Sequence, residues 1–327
     1  MACQIETANE LFGKYLYPPA KVIMEAQQNV VWTAQEIDIE KDVMDYKVNM
    51  NKYQFNLAST TLDTFVQIEQ HVGTIWSTIA TWFPHSEIEG ACSFISAMET
   101  SVHAFFYQKM NDVMNIPPEE TLKKQQETKE IRAKLAMIDS IMSDMSANKP
   151  LTLATVLLVE QVLLFGNFAM LKTFQANGYN LITNTITGLD FVIADEDLHG
   201  EFAAYLFNVY INELGKTSKD FEEDIKLVAT QIVEHEYAII DLIFKDVDSI
   251  NHTTAEQFRE FIKHRVNRAL EQINIKPMYT VNNTAIQEWF YRSNNSMKIH
   301  DFFVSGTSSY TRDWSSDKLS RVGLHVK

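Results

Sequence analysis

The sequence predicts an all-α protein, and three observations support that fold class. Hydrophobic residues make up 46% of the 327 residues, which is enough for a large buried core. Glycine (10) and proline (7) are scarce, whereas folds rich in β-strands need more turn residues. Apolar side chains also recur three and four positions apart through long segments, as on one face of an α-helix. We therefore expect long helices joined by short loops.

The apolar spacing places the helices in order along the chain, with prolines or polar turns between them. The first long helix covers residues 51–80 and ends before Pro84, and the second covers residues 87–114 and ends at "NIPPEET". Further helices are predicted at residues 119–146, 151–174, 181–213, 218–246 and 254–272. Residues 1–300 then form one helical domain, and the polar, Ser-rich residues 301–327 form a flexible tail.

The charge and the cysteine content exclude several classes of protein. A formal net charge of -15 argues against binding to nucleic acid or to an anionic membrane surface. Two cysteines, Cys3 and Cys92, are too few for a disulfide framework, a cysteine-rich zinc site or a four-cysteine iron–sulfur cluster. The first residues lack a secretory signal pattern, and no apolar stretch of about 18 residues is free of charge. We therefore expect no membrane span and a cytoplasmic location.

Four of the apolar helices each carry an acidic residue where a core residue is expected, and two of them also carry a histidine. These residues are Glu69, Glu99 with His103, Glu160, and Glu196 with His199. An ionised carboxylate without a partner is very costly in a core, so four of them need compensation. Two divalent cations would neutralise four carboxylates, and two imidazoles would complete the coordination. The pattern therefore predicts a dinuclear metal site inside a four-helix bundle.

Each piece of this pattern has an ordinary explanation when it is taken alone. Glu69 could be a helix-surface residue, and Asp63 on the same helix competes with it for the ligand role. Glu196 lies between two aspartates, so its segment could be an exposed acidic turn. Glu160 is the strongest single candidate because no other charged residue lies within eight positions on either side. The four pieces together, in this order, are far more specific than any one of them.

These segments resemble the small, radical-generating subunit (beta, or R2) of class I ribonucleotide reductase, over roughly residues 25–315. "VVWTAQEIDIEKD" is similar to the family's N-terminal tryptophan segment, and "FVQIEQHVG" to its first ligand helix. "SEIEGACSFISAMETSVHAFFY", "LVEQVLLFGNFAML" and "ADEDLHGEF" resemble its other three ligand segments. "EHEYAIIDLIF" and "FFVSGTSSY" also have counterparts. The resemblance implies a ferritin-like helical bundle.

The resemblance also implies a role for individual residues. Two metal ions are each held with one histidine in this family, and the matching residues are Glu69, Glu99 and His103 for the first ion and Glu160, Glu196 and His199 for the second. The stable radical would form on Tyr107, four residues after the first histidine. A relay that carries the radical to a large subunit would use Trp32, Asp195 and Tyr310. Asp195 would act by hydrogen-bonding the ligand His103.

By the same resemblance, the cofactor is a pair of iron ions, with two manganese ions or one ion of each metal as the other options. The partners are a second copy of this chain and the large catalytic subunit (alpha, R1). That subunit reduces ribonucleoside diphosphates to deoxyribonucleotides. The alternative is a ferritin-like dimetal protein, an iron store or an oxidase, that has no large-subunit partner. Tyr107, Trp32 and the tail favour the reductase.

Two positions depart from the family's pattern. The second ligand helix reads Glu-x-x-x-His between Glu99 and His103, whereas the family has one residue fewer there. Residues four apart still share a helix face, so either a π-bulge absorbs the extra residue or Glu99 is displaced. Glu69 stands where many members have aspartate, and its longer side chain leaves the identity of the metal open.

Overall fold

The computed structural model describes residues 3–9, 13–143 and 145–291, and nearly all of the regular structure in this part of the chain is helical. The α-helices are α1 (Pro18–Asn29), α2 (Lys52–Ala80), α3 (Ser86–Met98), α4 (Ala104–Met114), α5 (Pro118–Glu127), α6 (Lys129–Ser143), α7 (Lys149–Leu158), α8 (Leu164–Lys172), α9 (Thr183–Glu213), α10 (Glu222–Phe244) and α11 (Ala255–Gln272). The Glu99 π turn (Glu99–His103) joins α3 to α4, and the Glu160 π turn (Val159–Leu163) joins α7 to α8. Short helical turns fill several of the connections, and residues 285–291 are helical as well. The all-α prediction is confirmed.

Four long helical segments form the centre of the fold: α2, α3 with α4, α7 with α8, and α9. α2 packs against α3 and α4, while α7 packs against α9, and α2 also contacts α8. α6 and α10 cover this group from outside, and α11 packs on α10 and α8. The largest fully buried side chains include Phe65 and Trp76 of α2, Tyr107 of α4 and Trp32, which precedes α2, and all of them belong to the same core. The bundle therefore surrounds the helices that carry the predicted metal ligands.

The most apolar segment, Lys149–Gln175, is a core helix of this bundle. Among the described residues it is the one stretch whose length and composition would allow it to cross a membrane, with a mean hydropathy of 1.7. The 18-residue apolar window within this stretch is entirely buried inside the protein, because α7 and α8 are surrounded by α2, α9, α10 and α11.

The helix predicted at residues 119–146 is divided into α5 and α6 at Thr128. The backbone of Thr128 is extended, with φ -82° and ψ 112°. α5 buries none of its residues, whereas α6 buries Ile131, Leu135 and Ile138 against α2 and α10. The break allows α6 to turn its apolar face inward while α5 stays on the surface, a reorientation that helical spacing alone does not indicate.

A short hairpin before α11 is a second difference from the prediction. β1 (Ser249–Ile250) pairs with β2 (Thr253–Thr254) in the antiparallel sense, with Ser249 opposite Thr254. Asn251 and His252, between the strands, have φ of 51° and 58°. This left-handed region at both central positions is what a two-residue hairpin turn requires. Strands of two residues are too short to give a pattern that the sequence could reveal.

Candidate metal centre

The structure brings the six predicted metal ligands together in the middle of the bundle. They fall into two overlapping groups whose ligand atoms lie within 4.8 Å of one another: Glu69, Glu99, His103 and Glu196 in the first subsite, and Glu99, Glu160, Glu196 and His199 in the second. All six side chains are fully buried. Two carboxylates belong to both groups, so the arrangement is that of two adjacent subsites rather than one.

Glu99 and Glu196 each present one oxygen to each histidine. His103 Nδ1 lies 3.0 Å from Glu99 Oε2 and 2.9 Å from Glu196 Oε1. His199 Nδ1 lies 2.7 Å from Glu99 Oε1 and 2.9 Å from Glu196 Oε2. Ligand atoms at right angles around an octahedral cation, each about 2.1 Å from it, are about 3 Å apart. The spacing therefore suits two cations bridged by two carboxylates.

Glu69 and Glu160 close the two ends of the site. Glu69 Oε2 lies 3.8 Å from His103 Nδ1, and neither oxygen of Glu69 has a hydrogen-bond partner among the described residues. Oε2 of Glu160 also lacks one in that part of the chain. Buried carboxylate oxygens are rarely left without a donor, so these atoms are free to bind a cation. The donor set thus fits a dinuclear metal site.

The electrostatics of the site without cations show why it needs them. Burial, reinforced by neighbouring carboxylates, raises the pKa of Glu69 and of Glu160 well above the usual range. Burial also acts to raise the pKa of Glu99, but His103 and His199 beside it hold that pKa well below normal. Burial acts to lower the pKa of both histidines, yet the carboxylates raise it, to about 9 for His199. Without cations, Glu69 and Glu160 are therefore held in the protonated form, and a bound cation would take the place of these protons.

The extra residue between Glu99 and His103 lies in a π turn, as one of the two sequence-based alternatives predicted. Ala104 N–H donates to Glu99 O, five residues back, so this turn holds one residue more than an α-helical turn. Both Glu99 and His103 still face the centre, which means that Glu99 is not displaced. The Glu160 π turn is similar, with Leu164 N–H donating to Val159 O. No sequence pattern marks this turn, because every residue in it is buried.

Trp32, Asp195 and His103 form a hydrogen-bonded row beside the first subsite. Trp32 Nε1 donates to Asp195 Oδ2 at 2.9 Å, and the same oxygen lies 3.2 Å from His103 Nε2. The indole of Trp32 also stacks on the imidazole, with ring centroids 5.9 Å apart. Asp195 therefore fixes the orientation of His103 and connects it to the indole.

Tyr107 lies in a closed apolar pocket next to the site. Its side chain is fully buried, and its hydroxyl has no hydrogen-bond partner among the described residues. Phe65 stacks face to face on its ring, with centroids 4.3 Å apart and an interplanar angle of 2°. Burial, followed by the charge of Glu69, raises the pKa of Tyr107 well above normal. Tyr310 and the predicted tail, residues 301–327, lie outside the described residues.

The structure also decides between the alternatives that the sequence left open. Asp63 is buried but pairs with Lys124 at 3.4 Å, and it belongs to neither group of ligands. Glu196 is fully buried, so its segment is not an exposed acidic turn. One residue of the site was missed: Trp76 is fully buried and its Nε1 donates to Glu160 Oε1 at 2.7 Å. Its position seven residues after Glu69, two helical turns along one face, was the only available signal.

Comparison with known proteins assigns this arrangement to a family. The family described as "Ribonucleotide reductase, small chain" matches residues 12–285. The chain is 22% identical to a probable ribonucleoside-diphosphate reductase small subunit of Invertebrate iridescent virus 3, over 93% of this chain and 86% of that protein. Among solved structures, it resembles the dimanganese(II) NrdF of Streptococcus sanguinis, with a TM-score of 0.72, 17% identity and coverage of 84% and 95% of the two chains. It also resembles the Rnr4 homodimer of Saccharomyces cerevisiae, with a TM-score of 0.74, 16% identity and coverage of 90% and 92%.

These structural likenesses, at such low identity, support the ferritin-like bundle that was expected, and the family match covers most of the chain. The alternative of a ferritin-like oxidase outside the reductases is not favoured by these relatives. Taken together with the buried carboxylate and histidine groups, the match identifies the chain as a member of the ribonucleotide reductase small-chain family.

Proposed function

We propose that this chain is the radical-generating small subunit of a class I ribonucleoside-diphosphate reductase, and that the radical is stored on Tyr107. One observation carries the proposal beyond family membership: a fully buried tyrosine lies beside two overlapping groups of buried carboxylates and histidines. A store of iron would not need such a tyrosine. Nor would it need a hydrogen-bonded row that leads from a ligand to Trp32.

We propose that Glu69, Glu99 and His103 hold the first metal ion, and that Glu160, Glu196 and His199 hold the second. Glu99 and Glu196 would be shared by the two ions, because each presents an oxygen to both histidines. Carboxylates with imidazoles suit iron and manganese, and we favour a pair of iron ions, with Mn/Mn or Mn/Fe as the other options. When bound, the reduced metal pair supplies the oxygen chemistry that removes one electron from a tyrosine.

The protein's own part is to position, shield and connect the tyrosine. The phenol of Tyr107 must lose its proton when it loses an electron, and its raised pKa keeps it protonated until then. The full burial of Tyr107 and its face-to-face contact with Phe65 exclude water and external reductants from the ring. A buried radical is long-lived for that reason.

The radical has to leave this subunit, since nucleotide reduction takes place in a large partner. We propose that Trp32 and Asp195 form the inner end of the relay, because hydrogen bonds through Asp195 connect the ligand His103 to the buried indole of Trp32. Tyr310, in the C-terminal segment, would form the outer end and dock the large subunit. We also propose that the chain forms a homodimer, the state named for the structurally similar Rnr4 protein. Both cysteines are free, in keeping with a cytoplasmic location.

The test is to load the metal-free protein with Fe(II) or Mn(II), add oxygen, and record an electron paramagnetic resonance (EPR) spectrum. We expect a tyrosyl signal that is lost in Tyr107→Phe while metal uptake is unchanged. Tyr46→Phe is the matched control, since Tyr46 is also buried and its hydroxyl bonds Thr185 at 3.0 Å. Failure to take up metal, or a tyrosyl signal that persists in Tyr107→Phe, would contradict the proposal.

A second variant tests the relay separately from radical formation. Tyr310→Phe is expected to keep the tyrosyl signal but to abolish ribonucleoside diphosphate reduction when the large subunit is added. Normal turnover in this variant would remove Tyr310 from the relay. A signal without any turnover in the unchanged protein, with several large subunits tried, would favour the oxidase alternative.

A further inference from the structure

Two glycines occupy equivalent places relative to the metal ligands. Gly73 follows Glu69 by four residues on α2, and Gly200 follows Glu196 by four residues on α9. A spacing of four places each glycine one turn away from its glutamate, on the same face of the helix. Each glycine therefore faces the interior of the bundle at the level of the site.

Gly73 lies directly against the Glu99 π turn. A Cβ atom at this position would be 2.5 Å from Thr100 Cγ2, 3.1 Å from Ser96 O and 3.2 Å from Glu99 Cβ. The first contact is impossible without a shift, and the other two are tighter than ordinary contacts. A side chain here would therefore press on Thr100 of the π turn, on the last turn of α3 and on the ligand Glu99 itself.

Gly200 lies against the Glu160 π turn in the corresponding way. A Cβ atom here would be 2.3 Å from Gln161 Nε2, 2.4 Å from Gln161 Cγ and 2.7 Å from Gln161 Cδ. Gln161 cannot move aside easily, because its Nε2 donates to Glu196 O at 3.0 Å and its backbone oxygen accepts from Arg265 Nε at 2.6 Å. A side chain at Gly200 would therefore displace the residue that follows the ligand Glu160.

The two π turns explain why glycine is needed at both places. A π turn holds one residue more than an α-helical turn, and here a side chain of each π turn projects against the facing glycine: Thr100 against Gly73 and Gln161 against Gly200. Each π turn contains a ligand glutamate, at its first residue in Glu99 and its second in Glu160. The neighbouring helix can remain close enough to supply its own ligand only if it has no side chain at the bulge.

We propose that Gly73 and Gly200 are positioning residues for the metal centre. Their missing side chains make room for the two π turns and thereby set where the carboxylates of Glu99 and Glu160 lie. Gly73 is thus the counterpart, on the facing helix, of the extra residue between Glu99 and His103. This inference rests on the proposed metal centre and adds to it the residues that fix its geometry.

The experiment compares Gly73→Ala with Gly90→Ala. A Cβ at Gly90 would meet only Met24 Sδ closely, at 2.6 Å, and that atom is the end of a flexible side chain. Both changes replace a helical glycine with alanine, so both gain the same helix propensity. Manganese(II) binding is measured by equilibrium dialysis. The EPR spectrum of the Mn(II)-loaded protein reports the coupling between the two ions. Circular dichroism follows the unfolding of the metal-free protein.

We expect Gly73→Ala to weaken manganese binding about 10- to 100-fold and to change the spectrum of the ion pair, as for other residues that orient ligands. Gly90→Ala should match the unchanged protein in both. If Gly73→Ala does not fold, Thr100→Ser is added to it, which removes the 2.5 Å contact and leaves those at 3.1 and 3.2 Å. This double variant should fold and still bind manganese more weakly than Thr100→Ser alone.

The inference is overturned if Gly73→Ala, or the double variant, binds two ions with unchanged affinity and an unchanged spectrum. It is also overturned if Gly90→Ala shows an equal loss of binding. If the unchanged protein binds no metal, the proposed function itself fails, which is a different result. Gly200→Ala should repeat the effect, with the weaker binding confined to one of the two ions.

Discussion

The hydrogen bond from Trp76 to Glu160 gives the sharpest test of how the protein holds its second metal ion. Trp76→Phe removes the Nε1 donor, which lies 2.7 Å from Glu160 Oε1, and retains an aromatic ring in the core. The second oxygen of this carboxylate, Glu160 Oε2, has no hydrogen-bond partner among the described residues. The variant therefore leaves this carboxylate with no donor in the described part of the chain to orient it.

The expected loss of affinity follows from the burial of both side chains and from the charge that the Glu160 carboxylate would carry as a metal ligand. Both side chains are fully buried, and a hydrogen bond to a charged group contributes about 1.5–3 kcal/mol. About 1.4 kcal/mol corresponds to a tenfold change in affinity, so the second ion should bind about 10- to 100-fold more weakly. The first subsite uses Glu69 instead of Glu160, and its affinity should change by less than about threefold.

Titration of the metal-free protein with Mn(II), with free Mn(II) followed by EPR, yields the two binding constants. Trp82→Phe is the control, since Trp82 is also mostly buried but packs edge-on against Phe83 and not at the metal centre. Equal binding constants in Trp76→Phe and the unchanged protein would refute the reasoning. An equal loss at both subsites, or the same loss in Trp82→Phe, would refute it as well.

Three further predictions concern stability. Lys134 and Glu236 form a fully buried ion pair at 2.7 Å, so Lys134→Met should lower the free energy of unfolding by about 3–5 kcal/mol in urea denaturation. Lys149→Met breaks the partly exposed pair with Glu6, whose side chains are 24% and 28% exposed, and should cost less than about 1 kcal/mol. Burial raises the pKa of Asp63 from 3.8 to about 6, so the folded state binds this proton more tightly than the unfolded state does. The free energy of unfolding, relative to that of Asp63→Asn, should therefore be highest below about pH 4 and should fall by about 2–3 kcal/mol as the pH rises through 6. A difference between the two proteins that does not change with pH would contradict the raised pKa. Mn(II) at about 100 times its dissociation constant should raise the free energy of unfolding by about 2.7 kcal/mol, and a chelator should reverse the increase. No increase would argue against a metal site in the folded state.

The sequence was sufficient to find the six candidate ligands, because a charged residue within an apolar helix stands out from its immediate neighbours. It also offered the π turn at Glu99 as one of two alternatives, since the spacing to His103 could be compared with a family pattern, and the structure shows that turn. The Glu160 π turn gave no such signal. Its residues are all buried, so no change in the apolar pattern marks the extra residue.

What the sequence by itself determined is thus the all-α class, the helices that carry carboxylates, and the need for compensating positive charge in the core. These follow from composition and local spacing. Only the tertiary structure decided that Glu99 and Glu196 belong to both groups of candidate ligands, that Asp63 belongs to neither and that Trp76 donates a hydrogen bond to Glu160. Such pairings join residues far apart in the chain. They depend on how closely two helices approach and how each is rotated about its axis, and those quantities are set by the packing of the whole bundle.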